Sequence, residues 1–216
     1  MANPIFWTNV GIDVQTALAA AVTITAISKA STGVATYSGV VNPANGDHIV
    51  ITANGMSQVN DRIVRIANVN TTAKTFELEG EDTTLYDTFV NGSYQIVTFG
   101  ASFNSVQQIS PSGGDYEKAD ITTIHDQVRK QVPTIAAPLT LAMTNFFDLT
   151  DPGWVECNKA YKSKTKRAIR LRFGAGAKML LTGYVGAAGV PTGQAQGVVQ
   201  TPVTIEAQNL PTVYAS

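Results

Sequence analysis

The chain has 216 residues, of which 44% are hydrophobic and only 14% charged, and its formal net charge is −1. This near-neutral balance argues against a nucleic-acid-binding protein that neutralises phosphates, and a single cysteine excludes an intrachain disulfide and a multi-cysteine zinc site. Surfaces that become buried between subunits carry few charges at their centres, so the low charge favours a multi-subunit assembly.

The N-terminal region predicts a strand and no targeting segment. Apolar and polar residues alternate over residues 10–14, which is typical of a half-buried strand with Val10, Ile12 and Val14 on one face. The first residues lack a basic region followed by an apolar run, and no stretch approaches the ~18 apolar residues of a membrane span. We therefore expect synthesis in a cytoplasm and no membrane partner.

Residues 24–98 predict a small closed β-barrel. Asn-Gly and other turn-forming residues separate short apolar runs, and no long amphipathic helix interrupts them. The predicted strands are residues 34–37, 48–52, 62–69, 75–78 and 93–97.

Four segments of this region resemble the small β-barrel module named after the first catalytic cysteine half-domain of ubiquitin-activating enzymes, which also decorates phage structural proteins. They are residues 24–30, 45–51, 55–61 and 75–78. The resemblance implies a fold and no ubiquitin chemistry, because residues 24–98 contain no cysteine.

The pattern changes after residue 98. Residues 99–109 predict a strand, residues 110–114 a flexible loop, and residues 119–124 a further strand. Two prolines, Pro133 and Pro138, prevent a regular helix over residues 127–138. We expect a long loop there that becomes ordered on assembly.

One helix is predicted near the C-terminal end. Thr150 is a suitable N-cap, Pro152 suits the first turn, and Trp154, Cys157 and Ala160 form an apolar face. The remaining predicted strands are residues 139–143, 166–173, 179–185 and 198–207.

No complete catalytic, cofactor or metal site is evident. Adjacent residues of a strand point to opposite faces, so His125 and Asp126 cannot form a dyad if residues 119–126 are extended. Cys157 lies on the apolar helix face, where a thiol behaves as a small hydrophobic group, and His48 lacks a second ligand at metal-binding spacing. A hydrolase stays an alternative that would need His125 or Cys157.

The C-terminal half contains a run of seven bases without an acid: Lys159, Lys162, Lys164, Lys166, Arg167, Arg170 and Arg172. A nucleic-acid groove is one interpretation. We favour the other, a subunit interface or solvated face whose bases pair with acids of neighbouring subunits.

Residues 120–126, Asp-Ile-Thr-Thr-Ile-His-Asp, resemble the strand and following loop of the tail tube proteins of long-tailed, non-contractile phages. Residues 8–15, 151–163 and 201–209 match the same family in order. The resemblance implies a mainly β fold, a tail-tube-type β-sandwich or barrel with one flanking α-helix over residues 1–23 and 99–216. The small β-barrel domain would be inserted at residues 24–98.

The same resemblance implies a function. It predicts a non-enzymatic virion structural protein, the major tail tube subunit, which self-assembles into stacked hexameric rings that form the conduit for DNA ejection. Its partners would be its own copies, the tape measure protein, the tail terminator and tip proteins, and passing DNA that is not specifically bound. No cofactor is implied.

Residues 115–138 are the expected arm toward a neighbouring subunit or ring, and their mixed charges would fix register. The predicted interface residues are Asp115, Glu117, Lys118, Asp120, His125, Asp126, Arg129 and Lys130 in this segment, with Lys166, Arg167, Arg170 and Arg172.

The alternative is a surface- or carbohydrate-binding β module of a phage structural protein that does not itself form the tube. Four aromatic residues, Tyr37, Tyr86, Phe89 and Tyr94, would then line a sugar site.

Overall fold

The computed structural model describes residues 9–174 and 176–215. One long strand takes part in two β structures, a small barrel and a larger sheet, which we call the two bodies. This strand, β7 (Asn91–Phe103), pairs with β2 and β4 of a small barrel through its first half and with β1 of a larger sheet through its second half. The fold is mainly β with one α-helix, which confirms the predicted fold class.

The small barrel has six strands in the order β2-β3-β6-β5-β4-β7, and pairing of β2 with β7 closes it. Its other strands are β2 (Val22–Ile27), β3 (Val34–Ser38), β4 (His48–Asn54), β5 (Ile63–Asn70) and β6 (Thr75–Leu78). The closed barrel is confirmed. The likeness to the cysteine half-domain module and the domain limits at residues 24 and 98 stay predictions.

Three aromatic rings fill the centre of the barrel. The ring centroids of Tyr37, Phe76 and Tyr94 are 5.2–5.9 Å apart, with Tyr94 edge-on to both other rings. Tyr37 is 2% exposed and Tyr94 is fully buried, while Tyr86 and Phe89 pack against the same core. The predicted aromatic sugar site is therefore wrong for Tyr37 and Tyr94, because these two residues lie in the barrel interior.

The larger body is a seven-stranded sheet in the order β7-β1-β12-β13-β14-β11-β8, with β15 added to β13. Its strands besides β7 are β1 (Gly11–Leu18), β8 (Val106–Ser112), β11 (Thr140–Phe146), β12 (Arg167–Arg172), β13 (Lys178–Gly186), β14 (Gln200–Ala207) and β15 (Thr212–Tyr214). Alternate residues of these strands, among them Val14, Met143, Ile169 and Ile205, form one buried core with the helix. The first strand was predicted at residues 8–15, of which Thr8 lies outside the described residues.

The ladder between β1 and β7 is irregular where β7 passes from one body to the other. Register shifts occur on both sides of Gln15, and such bulges bend a strand and increase its twist. Gly100 lies at this bend, and a Cβ there would be 2.5 Å from Oγ1 of Thr16. Only glycine allows the two strands to approach this closely.

The helix, α1 (Pro152–Ser163), forms as predicted but begins one residue later. Its N-cap is Asp151, whose Oδ1 accepts hydrogen bonds from the backbone N–H groups of Gly153 and Trp154. Oδ2 accepts from the backbone of Asn104 and the hydroxyl of Ser105, both at 2.8 Å. Asp151 therefore caps the helix and holds the β7–β8 turn at once. No helix in the described part of the chain has the length and apolar character needed to cross a bilayer.

Four predictions for residues 99–138 are wrong in whole or in part. The single strand at 99–109 is two strands, β7 and β8, separated by Asn104 and Ser105, and β8 continues through most of the predicted loop. The strand predicted at residues 119–124 ends at Asp120, and the chain turns at residues 123–126, where the backbone N–H of Asp126 donates to the carbonyl of Thr123. The predicted loop at 127–138 contains β10 (Gln131–Ala136), which pairs with β9 (Tyr116–Asp120).

Asp151→Ala should destabilise the fold by about 2 kcal/mol, since the cap and the turn both lose a buried acceptor. Thr150→Ala is the matched control, because Thr150 is exposed and its hydroxyl donates to Oδ1 of the nearby Asp148. Its cost should stay within about 0.5 kcal/mol. Chemical denaturation measures both values, and equal losses would contradict the assignment of the cap.

Candidate assembly surfaces

An exposed two-stranded ribbon projects from the larger sheet. It consists of β9 and β10, and we call residues 115–137 the arm and residues 120–130 its tip. The arm prolongs the β8–β11 ladder beyond the Ser112–Thr140 pair, through backbone hydrogen bonds from Gly114 to Ala137 and from Ala137 to Asp115. It is thus an outward continuation of two sheet strands.

Glycine and proline shape the base of the arm. Gly113 has a φ of 81°, and a Cβ at this residue would lie 2.1 Å from the carbonyl oxygen of Pro138. Both the left-handed backbone and the close approach require glycine. Pro133 lies within β10 opposite Lys118, where a two-stranded ribbon offers an outer edge that needs no N–H donor.

The arm exposes large apolar side chains on both strands and at the tip. They are Tyr116, Ile121, Ile124, Val128, Val132 and Ile135, and Ile124 is 97% exposed. An isolated two-stranded ribbon is only marginally stable in water, and a contiguous exposed apolar surface marks a contact site. The arm is therefore the strongest candidate for contact with another chain.

Charged groups of the tip pair with one another. Nε of Arg129 lies 2.8 Å from Oδ2 of Asp120, and Lys130 bonds Asp126. Hydrogen bonds from Thr122 and then Arg129 lower the pKa of Asp120, and those from Lys130 and Thr123 lower the pKa of Asp126. The charged side chains of the tip are therefore paired with one another before the tip contacts a partner.

The other predicted arm residues, Asp115, Glu117, Lys118 and His125, are exposed. His125 and Asp126 lie in a turn, so the argument from opposite strand faces was wrong for them. Asp126 accepts hydrogen bonds from the backbone and hydroxyl of Thr123, both at 2.9 Å, which commits it to the tip. Contacts of these residues with a neighbouring subunit stay predictions.

The bases predicted on β12 are engaged within the subunit. Lys166 reaches across to Asp61 of the barrel at 2.6 Å, and Arg167 bonds the hydroxyl of Thr165. Arg170 and Arg172 both bond Asp13. These four bases are thus divided among several separate contacts within the subunit. An additional role of these four residues between subunits stays a prediction.

Asp13 is a buried carboxylate on the face of the larger sheet opposite the core residues Ile12 and Val14. Oδ2 lies 2.6 Å from Nε of Arg172 and 2.8 Å from Nη2 of Arg170, and Ser102 donates to Oδ1. Burial opposes its ionisation, yet the hydrogen bonds from Arg172, Ser102 and Arg170 outweigh this effect and lower the pKa of Asp13. The alternation of apolar and polar residues does not predict this cluster, because it places Asp13 on the polar face of the strand and so predicts an exposed side chain.

Hydrogen bonds and a buried apolar cluster join the barrel to the larger sheet, and we call this region the junction. Arg62 forms a two-fold ion pair with Glu81 at 2.6 and 2.8 Å, and its Nη2 also lies 3.5 Å from Oγ1 of Thr212. The hydroxyl of Tyr214 accepts from the backbone N–H of Arg65. A third buried cluster, which includes Ile63 and Leu180, lies beside these contacts. Strand β15, which the sequence did not predict, thus fastens the two bodies.

His48 lies at this junction against Phe99, with ring centroids 5.8 Å apart in an edge-on arrangement. Burial, and then the positive charges of Arg170, Lys178 and Arg65, lower the pKa of His48 from 6.5 to about 4. The imidazole is therefore neutral at pH 7. A half-buried neutral histidine is a structural group here.

Neither a metal site nor a reactive thiol is present among the described residues. No group of three or more histidine, cysteine or acidic side chains could hold an ion in residues 9–174 and 176–215. Burial raises the pKa of Cys157 to about 12, so its thiol is protonated at neutral pH.

A model of the family described as phage tail tube protein matches residues 54–216, more than half of the chain. The match begins at the last residue of β4 and includes the rest of the barrel, the arm and the helix. A search of the curated proteins found no match.

The protein should lose stability as the pH falls from 6.5 to about 4, because the unfolded chain binds a proton at His48 before the folded chain does. This contribution is complete above pH 6.5. His48→Phe keeps a ring against Phe99 and removes the titration, so its Tm should fall by about 5 °C less over this interval. Scanning calorimetry at several pH values measures the difference. Parallel curves for the two proteins would contradict the role of His48.

Proposed function

The chain belongs to the phage tail tube protein family, and we propose that it is the major tail tube subunit, whose hexameric rings stack into the conduit for DNA ejection. The family is structural and not enzymatic, and it assigns the protein to the virion tail. Synthesis in the host cytoplasm belongs to the same proposal.

The exposed apolar arm is the observation that carries this proposal. It exposes a row of large apolar side chains on a ribbon that is marginal by itself, so contact with further chains would stabilise it. Family membership supports further copies of the same chain as those partners. A subunit whose arm is stabilised only by contact with other subunits suits the wall of a tube, which is built from many copies of one chain.

A tube needs one interface for ring closure and another for stacking, since a head-to-tail contact either closes by rotation or continues without limit. The subunit offers two separate surfaces for these tasks. One is the arm. The other is the edge of β8, which pairs with β11 on one side and with no strand of residues 9–174 and 176–215 on the other. An unpaired strand edge is a ready template for pairing with a neighbour.

The distribution of bases supports passage of DNA without specific binding. Grip on DNA comes from bases that neutralise phosphates, and here Lys166, Arg170 and Arg172 are committed to acids of the same subunit. The tape measure protein would occupy the lumen before DNA enters it. The terminator and tip proteins would close the two ends.

Purified virions test the proposal directly. We expect labelled antibodies against this chain to decorate the whole tail shaft in electron micrographs, and quantitative mass spectrometry to give many copies per virion. Image averaging of the shaft should show six subunits a ring. Confinement to one end of the tail, or one or two copies per particle, would overturn the proposal.

The charge pairs of the tip allow a sharper test. Arg129→Glu with Lys130→Glu should lower tube yield at least ten-fold, because four acids would then repel one another within the tip. Adding Asp120→Lys and Asp126→Lys reverses both pairs and should restore most of the yield. Electron microscopy counts the tubes, and circular dichroism confirms folding of each variant. Normal tube yield from the double variant Arg129→Glu with Lys130→Glu would contradict a role of these charges in assembly.

A further inference from the structure

A second exposed apolar surface lies at the opposite end of β11 from the arm. We call it the end patch, and it consists of Phe146, Phe147, Leu149, Val198 and Val199, which are between 41% and 60% exposed. It joins two chain segments, since the backbone N–H of Phe147 donates to the carbonyl of Val199 at 3.0 Å and Phe146 pairs with Gln200 in the ladder. The end patch is thus a built surface and not a mobile loop end.

The end patch carries little charge. Residues 186–200, which supply Val198 and Val199, contain no acid and no base. On the other segment, Asp148 accepts hydrogen bonds from the backbone and hydroxyl of Thr150 at 2.8 and 2.7 Å, so it is already engaged. A partner for this surface should therefore be apolar and free of unpaired charge.

The arm tip has this chemistry. Its two acids and two bases pair within the tip, and its large exposed apolar side chains are Ile121, Ile124 and Val128. Burying an unpaired charge is costly, whereas apolar side chains gain by contact with an apolar surface. Because the charges of the tip already have partners, docking on a neutral patch would not leave any of the four unpaired.

A tip cannot reach the end patch of its own subunit. The arm begins where β11 begins and the end patch lies where β11 ends, so the strand alone separates them by roughly 20 Å, and β9 carries the tip roughly 15 Å farther away. Resting on the proposed tube assembly, we infer that the arm tip of one subunit docks on the end patch of a second copy of this chain in the adjacent ring.

This contact joins different surfaces of two identical chains, so it leaves a free tip at one end and a free patch at the other. A head-to-tail contact of this kind propagates without closing if it runs along the tube axis. The pairing of tip and patch would therefore determine both the direction of stacking and the distance between rings.

Engineered cysteines test the contact in assembled tubes. Ile124→Cys and Val198→Cys in one chain should yield, on mild oxidation, a ladder of disulfide-linked multimers in denaturing gels without reductant. An equal mixture of the two single variants, co-assembled, should yield dimers and no higher species. The native Cys157 is buried and should not contribute.

Ile124→Cys with Val40→Cys is the matched control, because Val40 is 93% exposed but belongs to the barrel. It should give at least ten-fold less product. In addition, Ile124→Asp should leave the Tm of the free subunit unchanged and should shorten tubes to single rings or short stacks.

The outcomes separate this inference from the function on which it rests. Tubes that form normally but give no ladder, or that tolerate Ile124→Asp, would overturn docking of tip on patch and leave the tube assignment intact. Absence of the unmodified chain from the tail shaft would overturn the tube assignment itself. A ladder equal to that of the Val40 control would show unspecific oxidation and would also overturn the docking contact.

Discussion

Pairing of β7 with strands of both bodies is the constraint on which the rest of the subunit depends. A strand has side chains on alternate faces, so a slip of one residue along β7 would exchange core and surface in the barrel and in the larger sheet together. Tyr94 and Phe103, buried on the two halves of the strand, would both be displaced. The barrel and the sheet therefore cannot choose their registers independently, and the contacts of β15 with Arg62 and Arg65 reinforce the same geometry.

Exposure of apolar side chains differs sharply between the body and the arm. Asp13, Glu81 and Asp151 are each buried with several donors, which makes the body a well-determined unit. The arm has paired its charges too, but its apolar side chains face water. The body is held by buried hydrogen bonds, and the arm exposes apolar side chains that another chain could cover. A subunit of this kind could join further copies without refolding.

Turn chemistry and apolar periodicity predicted the barrel, the helix and the mainly β class, because these signals are local. Strand β10 within the arm was missed for a physical reason: Pro133 breaks helices and central strands but is tolerated at the edge of a ribbon. Thr150 and Asp151 are both good caps, and only the distant Asn104 and Ser105 decide between them. Burial of Asp13 likewise depends on Arg170 and Arg172, some 157 positions or more away along the chain, which no local pattern reveals.

A continuous strand between two bodies also has a mechanical consequence. A barrel attached by flexible linkers would rotate when pulled. The force would first extend the linkers before it reached the larger sheet. Here, a pull on the barrel along β7 loads the hydrogen bonds between β1 and β7 in shear, where many bonds must break together. Drag or adhesion acting on the barrel would therefore be felt at once by the larger sheet.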